Sequence, residues 1–191
     1  TTLDTFDFGK NLYIDLYGEE QGKLPHYTNW DETIHATIGY GYGLSTTLLH
    51  LANAYTILAN YGKKIQLTYE KIDEEDIFFE NVLDENISKK ILLMMQTVVD
   101  SGTAKKAKLE KYTVAGKTGT VRIIEDGKYK KDSHLAIFVG ITPVAFPEYV
   151  TAIIVRNPKN GQASGGKNAA PIYREFMNHT LNLLEVYPDK K

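Results

Sequence analysis

Apolar residues recur with the period of an α-helix in three stretches of this chain. In residues 44–60 they return every three or four positions, which predicts an amphipathic helix that begins at Ser45 or Thr46 and ends before Gly62. A second helix is predicted over residues 85–100 and a third over residues 169–185. The apolar side chains expected to face inward on the second and third helices are Ile87, Ile91, Met94, Met95, Val98, Val99, Ile172, Phe176, Leu183 and Leu184.

Between the second and third helices the pattern becomes that of β-strands. The β-prone residues 121–124 and 135–142 flank an Asp-Gly pair at residues 126–127, which predicts a hairpin. The second of these runs is almost continuously apolar, so it should be a central strand with both faces covered. Residues 149–156 supply a third strand after a short connection, which implies antiparallel pairing. The predicted fold is α+β, an antiparallel sheet of three strands flanked by helices, and residues 65–72 fit either a short strand or coil.

Length, charge and cysteine content restrict the classes of function. With 191 residues, of which 42% are hydrophobic and 24% charged, the chain has the composition of one packed domain. Its formal net charge of -2 gives no field that would attract nucleic acid, so no nucleic-acid partner is expected. The absence of cysteine excludes disulfides and thiol chemistry. The sequence starts at Thr1 without a signal-peptide pattern, and we therefore expect a piece of a longer protein.

One short run of residues carries the candidate chemistry. We call Lys117, Thr118, Gly119 and Thr120 the K-T-G-T segment. A strand built from these residue types buries little apolar surface, and glycine within a strand often marks close approach by another backbone or a ligand. Because side chains alternate along a strand, Lys117 and Gly119 should share one face while the two threonines share the other. This arrangement suits the carboxylate of a peptide, and the alternative is an exposed edge strand with a solvated lysine.

Nucleotide and metal chemistry have weaker support. The Gly-Lys-Thr run at residues 116–118 matches the end of a phosphate-binding loop, but that pattern requires glycine at position 111, which is Lys111. The glycines of residues 39–43 do not have the G-x-G-x-x-G spacing of a dinucleotide site. The five histidines are scattered along the chain, so neither a metal site nor another cofactor is expected.

The K-T-G triplet is one of three motifs, with S-x-x-K and S-x-N, that form the active site of penicillin-binding proteins and serine β-lactamases. Several further blocks occur around it in one order along the chain. They lie at residues 18–25, 39–45, 51–60, 102–104, 139–143, 157–159 and 165–171. Together these blocks resemble class B penicillin-binding transpeptidases over nearly the whole chain, and most closely the septal, cell-division type.

The resemblance also implies which motifs the chain lacks. In this family the S-x-x-K serine and the S-x-N motif lie upstream of the block at residues 18–25, so the chain would be the C-terminal part of a single transpeptidase domain, inactive alone. Ser164 and Lys167 match S-x-x-K as letters, but they lie in a glycine-rich loop, whereas the family nucleophile opens a buried helix. Ser164 is therefore not the expected nucleophile. Family members build five strands, so this piece would expose a sheet edge through which it could dimerise.

By resemblance, the parent protein is a peptidoglycan D,D-transpeptidase that cross-links stem peptides through an acyl-enzyme and binds β-lactam antibiotics. Lys117 would supply positive charge, and Thr118 with help from Thr120 would bind the ligand carboxylate. Gly119 would leave room for the ligand, and the backbone N–H of Thr120 would form half of the oxyanion hole.

The same resemblance implies a cellular location and partners for the parent protein. It would be anchored in the bacterial inner membrane, with this domain on the periplasmic side, and would meet other membrane proteins of the divisome. Two alternatives remain open. One is a noncovalent peptide- or partner-binding module of the same fold, and the other is a β-lactamase or carboxypeptidase that shares the K-T-G triplet.

Overall fold

A three-stranded antiparallel sheet with helices on both faces forms the body of the protein, which is seen here in a computed structural model that describes residues 1–14, 17–125, 128–159 and 163–190. The α+β class predicted from the sequence is confirmed. In chain order the elements are α1 (Thr2–Thr5), α2 (Glu32–Thr37), α3 (Leu48–Ala59), β1 (Lys63–Ile65), β2 (Phe79–Asn81), α4 (Glu85–Asp100), β3 (Ala115–Glu125), β4 (Lys128–Thr142), β5 (Tyr149–Arg156) and α5 (Ala170–Leu183).

The sheet has the order β3-β4-β5, so the apolar strand predicted to be central lies in the middle. Strands β3 and β4 extend to Glu125 and Lys128, which makes both longer than their apolar cores predicted. The turn predicted at Asp126 and Gly127 lies outside the described residues. Within the described part of the chain, β3 and β5 each pair only with β4, and each therefore presents one unpaired edge.

Both faces of β4 are covered, as its apolar run predicted. On one face Phe138 packs edge-on against Tyr173 of α5, with ring centroids 4.8 Å apart. On the other face Ile141 lies in a cluster with Leu58 of α3 and Leu92 of α4. Alternation along the strand thus sends successive side chains to two separate cores.

Two facing glycines make room for the aromatic pair. Gly116 of β3 lies directly opposite Gly140 of β4. A Cβ atom on Gly116 would come within 2.4 Å of the Phe138 ring, and one on Gly140 would come within 2.7 Å of the Tyr173 ring. No side chain fits at that spacing without displacing a ring, so core packing alone requires glycine at both positions.

Helix α4 spans the predicted residues, but its predicted inward face is partly wrong. Met95 and Val99 are buried as expected, whereas Ile87 and Met94 are 48% and 62% exposed. The other buried positions are Ser88 and Leu92, one step around the helix. The small Ser88 lies where a Cβ on Gly62 would come within 3.1 Å of its hydroxyl, and a larger side chain would not fit beneath that loop.

The predicted inward face of α5 is wrong. Its buried residues are Ala170, Tyr173, Met177 and Leu181, while the four predicted positions are all exposed, Leu183 most of all at 82%. The helix carries two apolar stripes, and periodicity cannot decide between them. The choice depends on the sheet, because only the stripe with Tyr173 can fill the space above Gly140.

The remaining elements are shorter. Helix α3 starts later than predicted, because Thr47 caps it by accepting a hydrogen bond from the His50 N–H at 3.2 Å. Strands β1 and β2 form a small antiparallel sheet of their own, and of residues 65–72 only Ile65 belongs to a strand. No helix in the described residues has the length and apolar character needed to span a bilayer.

Candidate active site

The K-T-G-T segment lies within β3, at the edge of the sheet. Lys117 is opposite Val139 and Thr120 is opposite Ala136 in the register with β4. In an antiparallel strand with one neighbour, alternate residues direct their N–H and C=O groups away from the sheet. The segment therefore offers both side chains and unpaired backbone groups to a ligand that lies along the edge.

Thr118 is held by a threonine from another part of the chain. Its Oγ1 lies 2.9 Å from Oγ1 of Thr103. Thr103 follows the end of α4, in a turn fixed by the hydrogen bond from the Ala104 N–H to the Val98 carbonyl at 3.1 Å. Two hydroxyls that share one hydrogen bond use one of their two protons. Among the described residues neither hydroxyl has a further partner, so the pair can still donate one hydrogen bond outward.

Thr120 is also held by a hydrogen bond that leaves its hydroxyl proton free to donate. Its Oγ1 accepts a hydrogen bond from the Gly165 N–H at 3.2 Å. An acceptor role leaves the hydroxyl proton of Thr120 unused within the described part of the chain. Thr118 and Thr120 thus lie on one face of β3, as the period of two predicted, and together with Thr103 they present two free O–H donors.

The glycine-rich segment at residues 165–169 covers this face at very short range. It forms a π-helical turn that leads into α5. A Cβ on Gly165 would come within 2.2 Å of the Ile137 carbonyl oxygen, and one on Gly166 within 2.1 Å of the Thr103 carbonyl oxygen. These glycines allow the turn to lie against the backbone of the sheet and the α4 turn, which keeps both threonine hydroxyls in place.

Lys117 belongs to the opposite face of β3 and is exposed. Its Nζ donates a hydrogen bond to the Thr118 carbonyl oxygen at 2.9 Å. No carboxylate within the described residues forms an ion pair with it. Its charge is therefore available to an anionic ligand rather than being offset by the protein.

Gly119 differs from Gly116 in what its missing side chain would meet. A Cβ at Gly119 would lie 3.5 Å from the Ile137 Cβ, which is an ordinary van der Waals contact. Nothing in the described protein therefore excludes a methyl group there. The prediction that Gly119 leaves space for a ligand is compatible with this geometry, and its role stays a prediction.

The C-terminal tail fixes the start of β3. The carboxylate of Asp189 accepts hydrogen bonds from the Thr113 hydroxyl and, at 2.7 Å, from the Thr113 N–H. Lys190 Nζ donates to the Leu109 carbonyl at 2.8 Å, and burial lowers the pKa of this lysine. These contacts tie the residues before the K-T-G-T segment to the end of the chain.

Ser164 lies closer to the K-T-G-T segment than its place in the sequence suggests, because the next residue bonds to Thr120. Its N–H donates to Oδ1 of Asn168 at 2.9 Å, and its carbonyl accepts from the N–H of Lys167 at 3.1 Å. These are the contacts of a tight turn. In the described residues, no hydrogen bond joins the Ser164 hydroxyl to Lys167 Nζ, as activation of a serine by that lysine would require.

Sequence reasoning gave no site role to Thr103, Gly165 or Gly166, although it noted all three within the family blocks. Their contacts with the K-T-G-T segment join parts of the chain far apart in sequence, so no local pattern could reveal them. His50 has both ring nitrogens hydrogen-bonded at 2.7 Å, to Thr47 and to the Lys10 carbonyl. It is a packing residue. No three His, Asp or Glu side chains in the described ranges come together as a metal site.

The edge strand, the unpaired lysine and the two free hydroxyl protons are groups that can bind the carboxylate of an extended, peptide-like ligand. The model of the family "Penicillin binding protein transpeptidase domain" matches residues 1–178. The chain belongs to this family.

Relatives and solved structures agree. The chain is 30% identical to the probable peptidoglycan D,D-transpeptidase PenA of Neisseria flavescens, with 100% of this chain and 49% of that protein covered. It is 31% identical to the peptidoglycan D,D-transpeptidase FtsI of Escherichia coli K12, with 98% of this chain and 32% of FtsI covered. The chain thus spans a third to a half of these relatives.

Among solved structures, the transpeptidase domain of Burkholderia pseudomallei penicillin-binding protein 3 superimposes with a TM-score of 0.92 at 30% identity. The match covers 100% of this chain and 58% of that one. Penicillin-binding protein 3 of Mycobacterium tuberculosis, solved in complex with aztreonam, superimposes with a TM-score of 0.86 at 27% identity over 98% of this chain and 46% of that one.

Proposed function

We propose that this chain is the C-terminal, ligand-binding part of a single transpeptidase domain, and that its parent protein is a peptidoglycan D,D-transpeptidase that binds penicillin. One observation carries the proposal. Thr118 and Thr120 lie on an edge strand with two hydroxyl protons to donate between them and Thr103, beside the unpaired charge of Lys117. A carboxylate accepts hydrogen bonds and attracts a cation, so these groups match the end of a stem peptide or of a β-lactam.

The chemistry requires a nucleophile from the upstream part of the same domain. Its serine oxygen attacks the carbonyl carbon of the last peptide bond in a stem peptide, the bond to the terminal D-alanine breaks, and the serine is left as an ester. An amine from a neighbouring peptidoglycan strand then attacks that ester, forms the new amide and releases the serine.

The residues of this chain act on the substrate rather than supply the nucleophile. The outward O–H of the Thr118–Thr103 pair and the O–H of Thr120 hold the terminal carboxylate, which fixes the scissile carbonyl along β3. Lys117 supplies positive charge to the hydrogen-bond network of the site. The backbone N–H of Thr120 contributes half of the oxyanion hole, where negative charge develops in the transition state. Gly119 leaves the edge clear, so that the substrate can approach the strand backbone.

A role in cell division is also part of the proposal. It is supported by similarity to the protein named FtsI. On this proposal the parent protein is anchored in the inner membrane, its transpeptidase domain lies on the periplasmic side, and its partners include divisome membrane proteins.

The test compares this chain with a version extended upstream through the expected S-x-x-K serine. Each is incubated with benzylpenicillin, and the intact mass is recorded. We expect a penicilloyl adduct on the longer protein alone, on the upstream serine. An adduct on the short chain would overturn the assignment of the nucleophile. If the longer protein has no adduct but binds a stem pentapeptide noncovalently, the chain belongs to a peptide-binding module of the same fold.

A further inference from the structure

The charge of this chain is strongly segregated. Residues 66–85 contain eight Asp or Glu and one Lys, whereas the rest of the sequence contains 16 acidic and 21 basic residues. The overall net charge of -2 therefore conceals an acidic segment on a basic remainder. This segment connects β1 to the start of α4 and contains β2. A field of this sign attracts cations and repels anionic lipid and nucleic acid.

An apolar groove of about 570 Å³ lies beside the acidic segment. One wall comes from the small β1–β2 sheet and the other from the turn between β4 and β5. The apolar side chains that line it include Ile65, Ile77, Phe79, Phe146 and Pro147. None of the residues that form the groove belongs to the K-T-G-T segment or to the turns that hold it, so the groove has no part in the proposed reaction.

Phenylalanine rings are unusually accessible around this groove. Phe78 is 84% exposed, Phe79 is 57% exposed and Phe146 is 41% exposed. Phe79 and Phe146 line the groove, and Phe78 is next to Phe79 in the chain. Single exposed apolar residues are common, but several exposed rings at one groove are typical of an interaction site.

Acidic residues precede Ile77 and follow Phe79, two residues of the groove, along the chain. Asp73, Glu75, Asp76 and Glu80 are exposed, and Glu148 forms part of the groove itself. The molecule already places one cation against the aromatic wall, since Lys63 Nζ lies 4.7 Å above the centre of the Phe79 ring. That arrangement illustrates how a lysine or arginine from outside would bind, with its stem on a ring and its charge near a carboxylate.

We propose that this groove, with Glu148 in its lining and the acidic residues next to it in the chain, is a docking site for an extended basic segment of another protein, in which an aliphatic or aromatic side chain is flanked by lysine or arginine. The apolar side chain fills the space between Phe79 and Phe146, and the flanking cations pair with the exposed carboxylates. The charge of the segment selects this partner over an acidic peptide, a membrane or a nucleic acid. Strand β2, which pairs only with β1 among the described strands, offers an edge along which such a segment can lie.

The test uses this chain and a fluorescein-labelled probe peptide, Lys-Arg-Leu-Trp-Leu-Arg-Lys, followed by fluorescence anisotropy. Two comparison peptides replace either its basic residues by Glu or its Leu-Trp-Leu core by Ser-Gly-Ser. We expect the basic apolar peptide to bind at least tenfold more tightly than either, with an affinity that falls as salt is raised. Equal binding of the Glu peptide, or no binding of the basic one, would overturn the proposal.

Matched variants locate the binding. Phe146→Ser should weaken binding at least tenfold, whereas Phe176→Ser, which alters an exposed ring on α5, should leave it unchanged. The surface variant Asp73→Lys/Asp76→Lys does not touch the core and should also weaken binding at least tenfold, so the test survives if Phe146→Ser fails to fold. Loss of binding in Phe176→Ser alone, or in none of the three, would contradict the assignment. None of these results depends on penicillin acylation, so the proposed function is tested separately.

Discussion

Gly116 and Gly119 lie three residues apart in β3, but only one of them is required to be glycine by the packing around it. Gly116 is fully enclosed, and a Cβ there would strike the Phe138 ring at 2.4 Å. Gly119 would accept a Cβ in ordinary contact with Ile137 at 3.5 Å. One glycine is therefore explained by the core of this chain and the other is not. Packing explains the residue type at Gly116, whereas at Gly119 the proposed space for a ligand is the hypothesis to test.

The largest effect should come from Lys117, the exposed lysine between the two glycines. In the version extended upstream, Lys117→Ala should lower the rate of penicillin acylation about 10²–10³-fold, because a preorganised charge at the site is lost. Stopped-flow or gel-based labelling with a fluorescent penicillin measures this rate. The matched control is Lys167→Ala, which removes another exposed lysine near the same strand and should leave the rate unchanged. Equal losses in the two variants would mean that general positive charge, not Lys117, matters.

Substitution of the two glycines should affect different properties, with Gly116→Ala reducing stability and Gly119→Ala reducing reaction with the ligand. Gly116→Ala should lower the free energy of unfolding by about 1–3 kcal/mol, because the added methyl group overpacks the aromatic pair. Gly119→Ala should change it by less than about 0.5 kcal/mol, as expected at a site without crowding. Urea denaturation of this chain measures both values.

For the rate of acylation, the variant with the larger effect should be Gly119→Ala rather than Gly116→Ala. In the extended protein Gly119→Ala should slow acylation about tenfold or more, because the methyl group enters the space assigned to the ligand, while folded Gly116→Ala keeps its site. A large loss of stability in Gly119→Ala, or no effect of it on acylation, would remove the distinction between the two glycines.

The threonine pair should show a smaller, coupled effect. Thr118→Val removes a hydroxyl next to the carboxylate, and Thr103→Val removes the partner that positions it. Each should lower the second-order rate constant for acylation by a carboxylate-bearing β-lactam by up to about tenfold, which corresponds to a hydrogen bond of about 0.5–1.5 kcal/mol. Thr103→Ser, which retains a hydroxyl, should restore most of the loss.

The double variant sharpens this test. If the two hydroxyls act as one unit, Thr118→Val/Thr103→Val should lose little more than Thr118→Val alone. Additive losses would show instead that Thr103 acts independently of Thr118, and the proton shared between them would have no role in binding.

Much of this fold follows from sequence patterns, because helices and strands bury residues at fixed periods. The extents of α4 and β5 and the central place of β4 were predicted in this way. The inward faces of α4 and α5 were not, because each helix has more than one apolar stripe and the sheet selects between them. Ser88 and Tyr173 are buried because they fit beside Gly62 and Gly140, and such fits exist only after the chain has folded.

Some features of the candidate site could likewise be predicted from the sequence, and others could not. The alternation of Lys117 and Thr118 to opposite faces follows from strand geometry and could be predicted. The bond between Thr118 and Thr103 could not, since it joins the end of a helix to an edge strand 15 positions away. The contact of the Gly165 turn with Thr120 could not be predicted either, because it depends on how α5 packs on the sheet.

The smallest expected effect concerns Ser164, and it tests whether nearness to the K-T-G-T segment is enough to make a nucleophile. This serine precedes the glycine that bonds to Thr120, yet its backbone is engaged in a turn and its hydroxyl has no bond to Lys167 among the described residues. Ser164→Ala in the extended protein should therefore leave the rate of penicillin labelling unchanged, within about twofold. Loss of the adduct in that variant would identify Ser164 as the acylated residue. The exposed end of β3 would then belong to a site complete within this chain, and the proposed division between ligand-binding and nucleophilic parts would be wrong.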